Sequence, residues 1–337
     1  MFTKVQYKLT VMSVFADYLY RQAKFDEARK VYAAMVELAS KNEQTIFEID
    51  AQIALTKLDI MALKRAEAEE RMNTIDSLSL KLKAPTNTGI VLSIYMSLLA
   101  ELKGRYKTAL YLYENMERIA QNLEKPSSAL RLAIANNSCT FYLQDRNLVR
   151  AKNVGQRALE NCEKNFESYF AGNLLHALRN MSSISLAEND NRRAHQFIDR
   201  ELEEVGKRLS HEHPFYGVAL QHRAVLESRE GKHEESDRDF KACQEIFAKS
   251  FGEQNRLSAD TLLEIARIQL NANDYISSTE TCKRAIAMYK AILPNDHPSG
   301  LHAMEVLAQN YRKQQKSDLA VALEREVHEA FNAADGK

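Results

Sequence analysis

The sequence predicts an all-α protein, built as a solenoid of about eight stacked helix-turn-helix repeats. The main evidence is a small residue that recurs every 40 to 43 residues along the 337-residue chain. The series is Ala28, Ala68, Ala109, Ala151, Ala194, Ser236, Ser278 and Ala320. A fixed period of this size is typical of stacked repeat units, each of which contacts only its neighbours. It indicates a binding surface and argues against a globular enzyme domain.

The residues around each small position indicate that every unit is a pair of helices. In the first unit, apolar residues fall at helical spacing on both sides of a short polar break: Phe15, Leu19, Phe25, Ala28, Tyr32 and Met35. Glycine at the break, as at Gly104 and Gly231, can take the left-handed conformation that ends a helix. A small side chain in the second helix lets the two helices approach closely. We therefore expect about sixteen antiparallel helices and no sheet.

The prolines support this frame, because all five lie at the predicted junctions between repeats. They are Pro85, Pro126, Pro214, Pro294 and Pro298. Proline is tolerated in the first turn of a helix and costs about 3 kcal/mol inside one. A single solenoid over 1–337 is expected, with repeats at roughly 3–43, 44–84, 85–126, 127–169, 170–212, 213–254, 255–296 and 297–332.

Charge and hydropathy exclude several classes of function. The chain has 46 Lys+Arg and 46 Asp+Glu, so no net field draws it to nucleic acid or to anionic lipid. No apolar run approaches the roughly 18 residues that a membrane-spanning helix needs. The short apolar stretch near the start has no cleavage site before the helical pattern continues. We therefore expect a cytoplasmic protein.

The residues that carry chemistry in enzymes are scattered. The four cysteines form no CxxC pair and are expected to pack as small apolar residues. They are Cys139, Cys162, Cys243 and Cys282. His211 and His213 supply at most half of a zinc site, which needs four ligands. No nucleophile turn or phosphate-binding glycine loop is present, so we expect no catalysis, no metal and no other cofactor.

The junctions give the repeat a more specific signature. Residues 210–214 read SHEHP and residues 294–298 read PNDHP, which places His213 and His297 two periods apart. With the 42-residue period, this pattern resembles the tetratricopeptide repeat in its kinesin light chain form, and residues 282–298 match best. The first three repeats fit only the general helix-pair pattern. The resemblance implies a right-handed α-solenoid, or superhelix, of tetratricopeptide-like repeats.

In that family, an LNNLA-like stretch on the first helix of each repeat places asparagines along the concave groove, where they hold a peptide backbone. Residues 135–139 (ANNSC) and 178–182 (LRNMS) match this stretch. Residues 220–224 (LQHRA) match it weakly, and residues 262–266 (LLEIA) lack both asparagines. The resemblance thus implies peptide binding mainly in the central repeats.

Polar residues at fixed positions of the first helices predict a ladder along this groove. The candidate groove residues are Asn136, Asn137, Thr140, Arg179, Asn180, Ser183, Gln221, Arg267, Gln309 and Arg312. Arginine pairs with carboxylates in a bidentate way, so the three arginines favour an acidic peptide. Asp260 and Glu305 lie nearby and oppose that preference. The alternative is a solvated polar face that binds nothing.

Two functions fit these observations. The first is a non-catalytic protein–protein interaction scaffold or adaptor that binds an extended peptide or a partner helix in its concave groove. The second is a regulatory sensor domain of a larger signalling protein, in which a peptide effector changes the superhelical pitch and switches an attached output domain.

The two ends of the array lead to a separate expectation about packing. The first helix has apolar residues on overlapping stripes, at Val5, Leu9, Met12, Phe15 and Leu19. Terminal repeats normally need a polar outer face or a capping helix. We therefore expect either that a terminal helix packs on another domain or chain, or that the sequence is part of a longer polypeptide.

Overall fold

The computed structural model describes residues 3–80, 86–122, 128–164 and 171–335, which form sixteen helices and no strand. In chain order they are α1 (Lys4–Arg21), α2 (Phe25–Lys41), α3 (Thr45–Met61), α4 (Arg65–Ser79), α5 (Thr86–Leu102), α6 (Tyr106–Asn122), α7 (Ser128–Gln144), α8 (Leu148–Lys164), α9 (Ala171–Ala187), α10 (Asn191–Arg208), α11 (Pro214–Arg229), α12 (His233–Phe251), α13 (Arg256–Asn271), α14 (Tyr275–Ile292), α15 (Pro298–Lys313) and α16 (Ser317–Asp335). The predicted all-α, right-handed α-solenoid is confirmed.

The packing order explains which helices face inwards. Each helix packs on the next one in sequence, and from α3 onwards each odd-numbered helix also contacts the odd-numbered helix of the next repeat. The pairs α7–α9, α9–α11, α11–α13 and α13–α15 are examples. The odd-numbered helices therefore line the concave side of the superhelix, and the even-numbered helices lie outside them.

The turn inside each repeat has the same main-chain geometry with or without glycine. Gly104 and Gly231 have φ angles of 73° and 78°, as their positions in the sequence predict. Ala23, Leu63 and Arg146 take φ angles of 57–58° at the equivalent positions. In all eight turns the following N–H donates to the carbonyl five positions earlier, which satisfies the end of the first helix.

The recurring small residues are all buried between the two helices of their repeat. Ser236 and Ser278 stand where the other repeats have alanine. The Ser236 hydroxyl donates to the Ala224 carbonyl at 2.8 Å, and the Ser278 hydroxyl donates to the Ala266 carbonyl at 2.6 Å. Such short distances to the main chain of the first helix show why only a small side chain fits there.

The prolines keep to the repeat junctions wherever the structure describes them. Pro214 and Pro298 are the first residues of α11 and α15, where the missing N–H costs no helical hydrogen bond. Pro294 lies between α14 and α15. Pro85 and Pro126 fall outside the described residues.

The four cysteines are buried and free, as expected. Burial raises the pKa of Cys139 and of Cys243 to about 12. Both stay as neutral thiols near pH 7 and pack as small apolar side chains.

The outer face of α1 is apolar and open to solvent. Tyr7, Val11, Val14 and Tyr18 are each at least half exposed, whereas Leu9 is fully buried against the first repeat. The packing of a terminal helix on another domain or chain stays a prediction. In the described part of the chain, no helix is both long enough and apolar enough to cross a membrane.

Candidate functional site

The superhelix winds tightly enough for its second turn to contact its first. The N–H of Ser210 donates to the carbonyl of Arg21 at 3.0 Å, and a ring nitrogen of His297 lies 3.1 Å from the carbonyl of Glu101. The Arg65 guanidinium donates to the carbonyl of Ile292, 227 positions later, at 3.2 Å. The turns between the two helices of the early repeats therefore contact the junctions that connect the later repeats.

Apolar contacts reinforce this cross-turn seam. The rings of Phe25 and Phe251 stack with centroids 5.9 Å apart and an interplanar angle of 6°. Ile60 and Leu63 from the second repeat and Leu102 from the third pack into the core formed by α13, α14 and α15. The concave groove is thus partly closed along its length into an interior channel.

His213 and His297, the two junction histidines, cap the next helix and also sit in the seam. Nδ1 of His213 accepts from the N–H of Phe215 at 3.2 Å, and Nδ1 of His297 accepts from the N–H of Ser299 at 3.1 Å. A ring whose Nδ1 accepts carries its proton on Nε2. The Nε2–H of His297 therefore donates to the Glu101 carbonyl.

Burial keeps both histidines neutral. It lowers the pKa of His213 to about 3, assisted by the positive charge of Lys57. It likewise lowers the pKa of His297 to about 3, assisted by the nearby guanidiniums of Arg256 and Arg65. The closed seam is therefore built from uncharged imidazoles.

The channel contains a cavity of about 290 Å³ near the C-terminal end, here called the C-terminal pocket. It is lined by Leu143, Gln144, Arg146, Gln221, Arg256, Asp260, Leu263, Glu264, Arg267, Tyr289, Pro298, Ser299 and His302. These residues come from α7 and the turn after it, and from α11, α13, α14 and α15, so the pocket is formed only when the two turns of the superhelix meet.

Opposite charges balance one another around the C-terminal pocket. Arg146 pairs with Glu305 at 2.9 Å across the seam, and Arg267 pairs with Glu264 at 2.6 Å. Arg256 lies 3.9 Å from Asp260. Because each arginine has a carboxylate beside it, the pocket suits a ligand that carries both hydrogen-bond donors and acceptors, such as a peptide backbone.

A second group of residues on the concave side, here called the central chamber, comprises Tyr20, Lys57, Tyr95, His176, Arg179 and Phe215, which are linked by ring contacts and charge interactions. Nζ of Lys57 lies 4.1 Å from the centroid of the Tyr20 ring. Cζ of Arg179 lies 5.0 Å from the centroid of the Phe215 ring. Among the described residues neither cation forms an ion pair with a carboxylate, which distinguishes this chamber from the C-terminal pocket.

The walls between these two regions are hydrogen bonded from repeat to repeat. The Thr140 hydroxyl lies 3.0 Å from Nε2 of His176 and donates to the side-chain oxygen of Asn180 at 3.0 Å. Nδ2 of Asn180 donates to the Asn136 carbonyl at 2.9 Å, and Nδ2 of Asn136 donates to the Asn173 carbonyl at 2.9 Å. Asn136 and Asn180 are fully buried, so they join α7 to α9 and do not face the channel.

Comparisons with solved structures identify the architecture. A Rap protein complexed with competence and sporulation factor matches with a TM-score of 0.62 at 12% sequence identity, over 98% of this chain and 99% of that chain. NprR in complex with its cognate peptide NprX matches with a TM-score of 0.60 at 14% identity, over 87% and 86%. A putative kinesin light chain from Podosopora anserina matches with a TM-score of 0.42 at 17% identity, over 64% and 100%.

The chain is a tetratricopeptide-like repeat solenoid. The resemblance to tetratricopeptide repeats drawn from the junctions is confirmed at the level of the fold. At such low sequence identity the likeness establishes the fold alone. No protein-family model matches the sequence. No curated protein matches it either.

Two other predicted groove residues, Ser183 and Asn137, interact with neighbouring groups of the solenoid. Ser183 lies 3.1 Å from His222, which in turn lies 3.1 Å from the buried carboxylate of Glu201. The Asn137 amide donates to the Ala133 carbonyl of its own helix at 2.7 Å.

The last two predicted groove residues lie towards the end of α15. Gln309 is exposed. Arg312 donates twice to Glu324 of the outer helix α16, at 2.6 and 2.5 Å. Of the ten candidates, Gln221 and Arg267 line the C-terminal pocket, and Arg179 lies in the central chamber.

Several channel residues were not predicted from the sequence. One of them, Lys57, occupies a repeat position that could have identified it. Lys57 lies eleven residues before Ala68, as Thr140 lies eleven before Ala151. Extending the ladder to the second repeat would have identified it. Tyr20 and Phe215 carried no such signal, because their place in the chamber depends on contacts between superhelical turns.

No group of three or more His, Cys, Asp or Glu side chains is placed to hold a metal ion within the described ranges. Some buried titratable groups near the channel bond to one another. The Tyr289 hydroxyl, for example, donates to Asp260 at 2.6 Å.

Proposed function

We propose that this solenoid is a non-catalytic interaction protein that binds an extended peptide along its interior channel. The observation that carries the proposal is the half-open, polar-lined cavity at the meeting of the superhelical turns. A peptide backbone has donors and acceptors in equal number and therefore suits the alternating charges of that pocket. We place this activity in the cytoplasm, without a metal or cofactor and without a nucleic-acid partner.

The structural neighbours support a peptide as the class of ligand. NprR is solved in complex with its cognate peptide NprX, and the Rap protein is solved in complex with competence and sporulation factor. Together with the channel, this favours an extended peptide over a partner helix.

A selection of random peptides displayed on phage would test the proposal. Enriched peptides should bind with one-to-one stoichiometry in calorimetry, and Arg267→Trp, which fills the C-terminal pocket, should weaken them at least tenfold. Arg238→Trp is the matched control, because Arg238 lies on the outer helix α12 with a strongly exposed side chain. Equal binding to both variants, or no enriched peptide, would overturn the proposal.

A second function, a regulatory sensor, is favoured by the cross-turn seam. The bond from His297 to Glu101 joins positions 196 residues apart, so the channel exists only at one superhelical pitch. A peptide that prefers this pitch would shift the array towards it. Small-angle scattering with and without a selected peptide separates the two functions. A changed radius of gyration indicates a sensor, and an unchanged one indicates a scaffold.

A further inference from the structure

The outer face of α1 concentrates the exposed apolar side chains of the molecule. Among the described residues, fourteen large hydrophobic side chains are exposed, and five of them belong to this one helix of 18 residues. The five are Tyr7, Val11, Val14, Phe15 and Tyr18, with exposed fractions between 50 and 69%. The others are scattered over the rest of the array. A concentrated apolar patch of this kind is typical of a surface that associates with another molecule.

Four of these side chains form a straight stripe along the helix. Tyr7, Val11, Val14 and Tyr18 follow one another at intervals of four, three and four residues. This spacing is typical of the contact line between two helices that pack side by side at a small angle. Leu9, on the opposite face of α1, is fully buried against the first repeat. The stripe therefore points away from the array.

The stripe is the same when it is read in either direction. The residue types run Tyr, Val, Val, Tyr, and the intervals run four, three, four. A second α1 laid antiparallel on the first places Tyr7 against Tyr18 of the other copy and Val11 against Val14 of the other copy, twice over. A two-fold interface uses the same patch on both copies, so that each contact occurs twice. The symmetry of the stripe meets this requirement, which an unrelated partner would not impose.

The residues beside the stripe are compatible with the antiparallel arrangement. At about 100° per residue, Lys8 and Phe15 lie along one side of the stripe, and Thr10 and Asp17 lie along the other. Because the two-fold axis relates each side to itself, Lys8 comes near Phe15 of the other copy, where an ammonium group over a ring is favourable. Thr10 comes near Asp17 of the other copy. No like charges meet along either side.

The stripe ends in a basic residue on each side. Lys4 precedes Tyr7 by three residues, and Arg21 follows Tyr18 by three; both are exposed. In the antiparallel arrangement Lys4 lies opposite Arg21 of the other copy. Both side chains are long and stand at the ends of α1, so their charged groups can turn towards water. Their repulsion weakens the association without preventing it.

We propose that two copies of this chain associate through an antiparallel pair of α1 helices. A helix of 18 residues is about 27 Å long. One such helix from each copy forms an interface at the low end of the specific size range, so we expect a dissociation constant of about 10–100 µM. This association goes beyond the proposed function, because it uses none of the helices that line the C-terminal pocket.

Sedimentation equilibrium of the purified chain tests the association. Wild type should pass from monomer to dimer as its concentration rises to about 500 µM, several times the expected dissociation constant. Val14→Glu places a charge at the centre of the stripe and should weaken the dimer at least tenfold. Val149→Glu is the matched control, since Val149 of α8 is 74% exposed, and it should leave the dimer unchanged. A wild-type chain that stays monomeric, or equal effects of the two substitutions, would overturn the proposal.

Charge reversal at the ends of the stripe tests the antiparallel direction by a gain of affinity, which misfolding cannot imitate. Lys4→Glu would place a carboxylate opposite Arg21 of the other copy at both ends, and should tighten the dimer about threefold or more. Lys8→Glu makes the same change of charge beside the stripe and should not tighten it. The Lys4→Glu/Arg21→Glu double variant again opposes like charges, so the gain should disappear.

A parallel pair gives a different result. There Lys4 lies opposite Lys4 of the other copy, and Lys4→Glu replaces one like-charged pair by another. An unchanged dissociation constant for Lys4→Glu would therefore overturn the antiparallel arrangement. A gain that persists in the double variant would overturn it as well, because it would reflect the general charge of the chain and not the pairing of residue 4 with residue 21.

Discussion

Nε2 of His297 donates a hydrogen bond to the main-chain oxygen of Glu101, which lies 196 residues earlier in the chain. The same imidazole caps α15 through Nδ1. One residue of the kinesin light chain-like junction thus does two things in this solenoid. It caps the start of α15, which is the first helix of the last repeat, and it joins the second superhelical turn to the first.

The two roles can be separated by replacing His297 with asparagine. Asn255 caps α13 at the preceding junction, where its side chain accepts from the N–H of Ser258 at 2.8 Å. His297→Asn should therefore keep the cap but lose the bond to Glu101, because its side chain is shorter. We expect a cost of about 1 kcal/mol and a larger radius of gyration in small-angle scattering. An unchanged radius would show that the apolar contacts of the seam suffice to close it.

The seam should also weaken in acid. His213 and His297 have a pKa of about 3 in the folded protein, below the value of about 6.5 for an unfolded histidine. Above pH 6.5 both states are neutral and these residues add no pH dependence. As the pH falls from 6.5 towards 3, the unfolded state binds protons that the folded state excludes, so stability is lost. At pH 5 the loss is about 2 kcal/mol for each histidine.

Urea denaturation at pH 7 and pH 5 measures this effect. Buried Glu101 and Asp260 act in the opposite sense, because burial raises the pKa of each carboxyl and favours the folded state in acid. The histidine contribution is therefore taken as the difference between wild type and a His213→Asn/His297→Asn double variant. The double variant should lose less stability between the two pH values than wild type does. Equal losses would contradict the assignment.

The fold was predictable because its signals are local and repeated. The small residue at Ala151 and its equivalents fixes the distance between two helices of one repeat, and the prolines mark the junctions. Part of the site was predictable for the same reason. Arg179, Gln221 and Arg267 were found because channel-facing positions recur with the repeat period.

The rest of the site depends on the superhelical pitch, which is the sum of small rotations from repeat to repeat. No local pattern shows that Tyr20 meets His213, since the two are separated by nearly two hundred residues. Nor does the sequence show whether an asparagine faces the channel or the next repeat. Asn136 and Asn180 fit the family pattern, yet the structure uses both to bond α7 to α9.

The second repeat is held to its neighbour by a buried carboxylate. Asp59 is fully buried in α3, where it forms ion pairs with Arg29 of α2 and, at 2.7 Å, with Arg71 of α4. Asp59→Asn removes the charge between two arginines and should cost about 3 kcal/mol in urea denaturation. Glu69→Gln is the control, because the 2.7 Å pair of Glu69 with Lys103 is partly exposed and should contribute less than about 1 kcal/mol. Similar costs for both variants would contradict this difference.

Two glycines near the starts of helices that follow His-Pro junctions should respond to alanine in opposite ways. A Cβ on Gly217 would lie 2.6 Å from Cε1 of Phe247, a fully buried ring that cannot move away cheaply. Gly217→Ala should therefore destabilise the solenoid by about 1–3 kcal/mol.

A Cβ on Gly300 would instead meet Tyr289 at 3.7 Å, an ordinary contact. Gly300→Ala should stabilise the protein by about 0.5–1 kcal/mol, because alanine loses less backbone entropy than glycine on entering a helix. Urea denaturation of both variants tests the pair. If the contact with Phe247 is the cause, Phe247→Leu should lower the cost of Gly217→Ala in a double-mutant cycle. An unchanged cost would place the strain elsewhere.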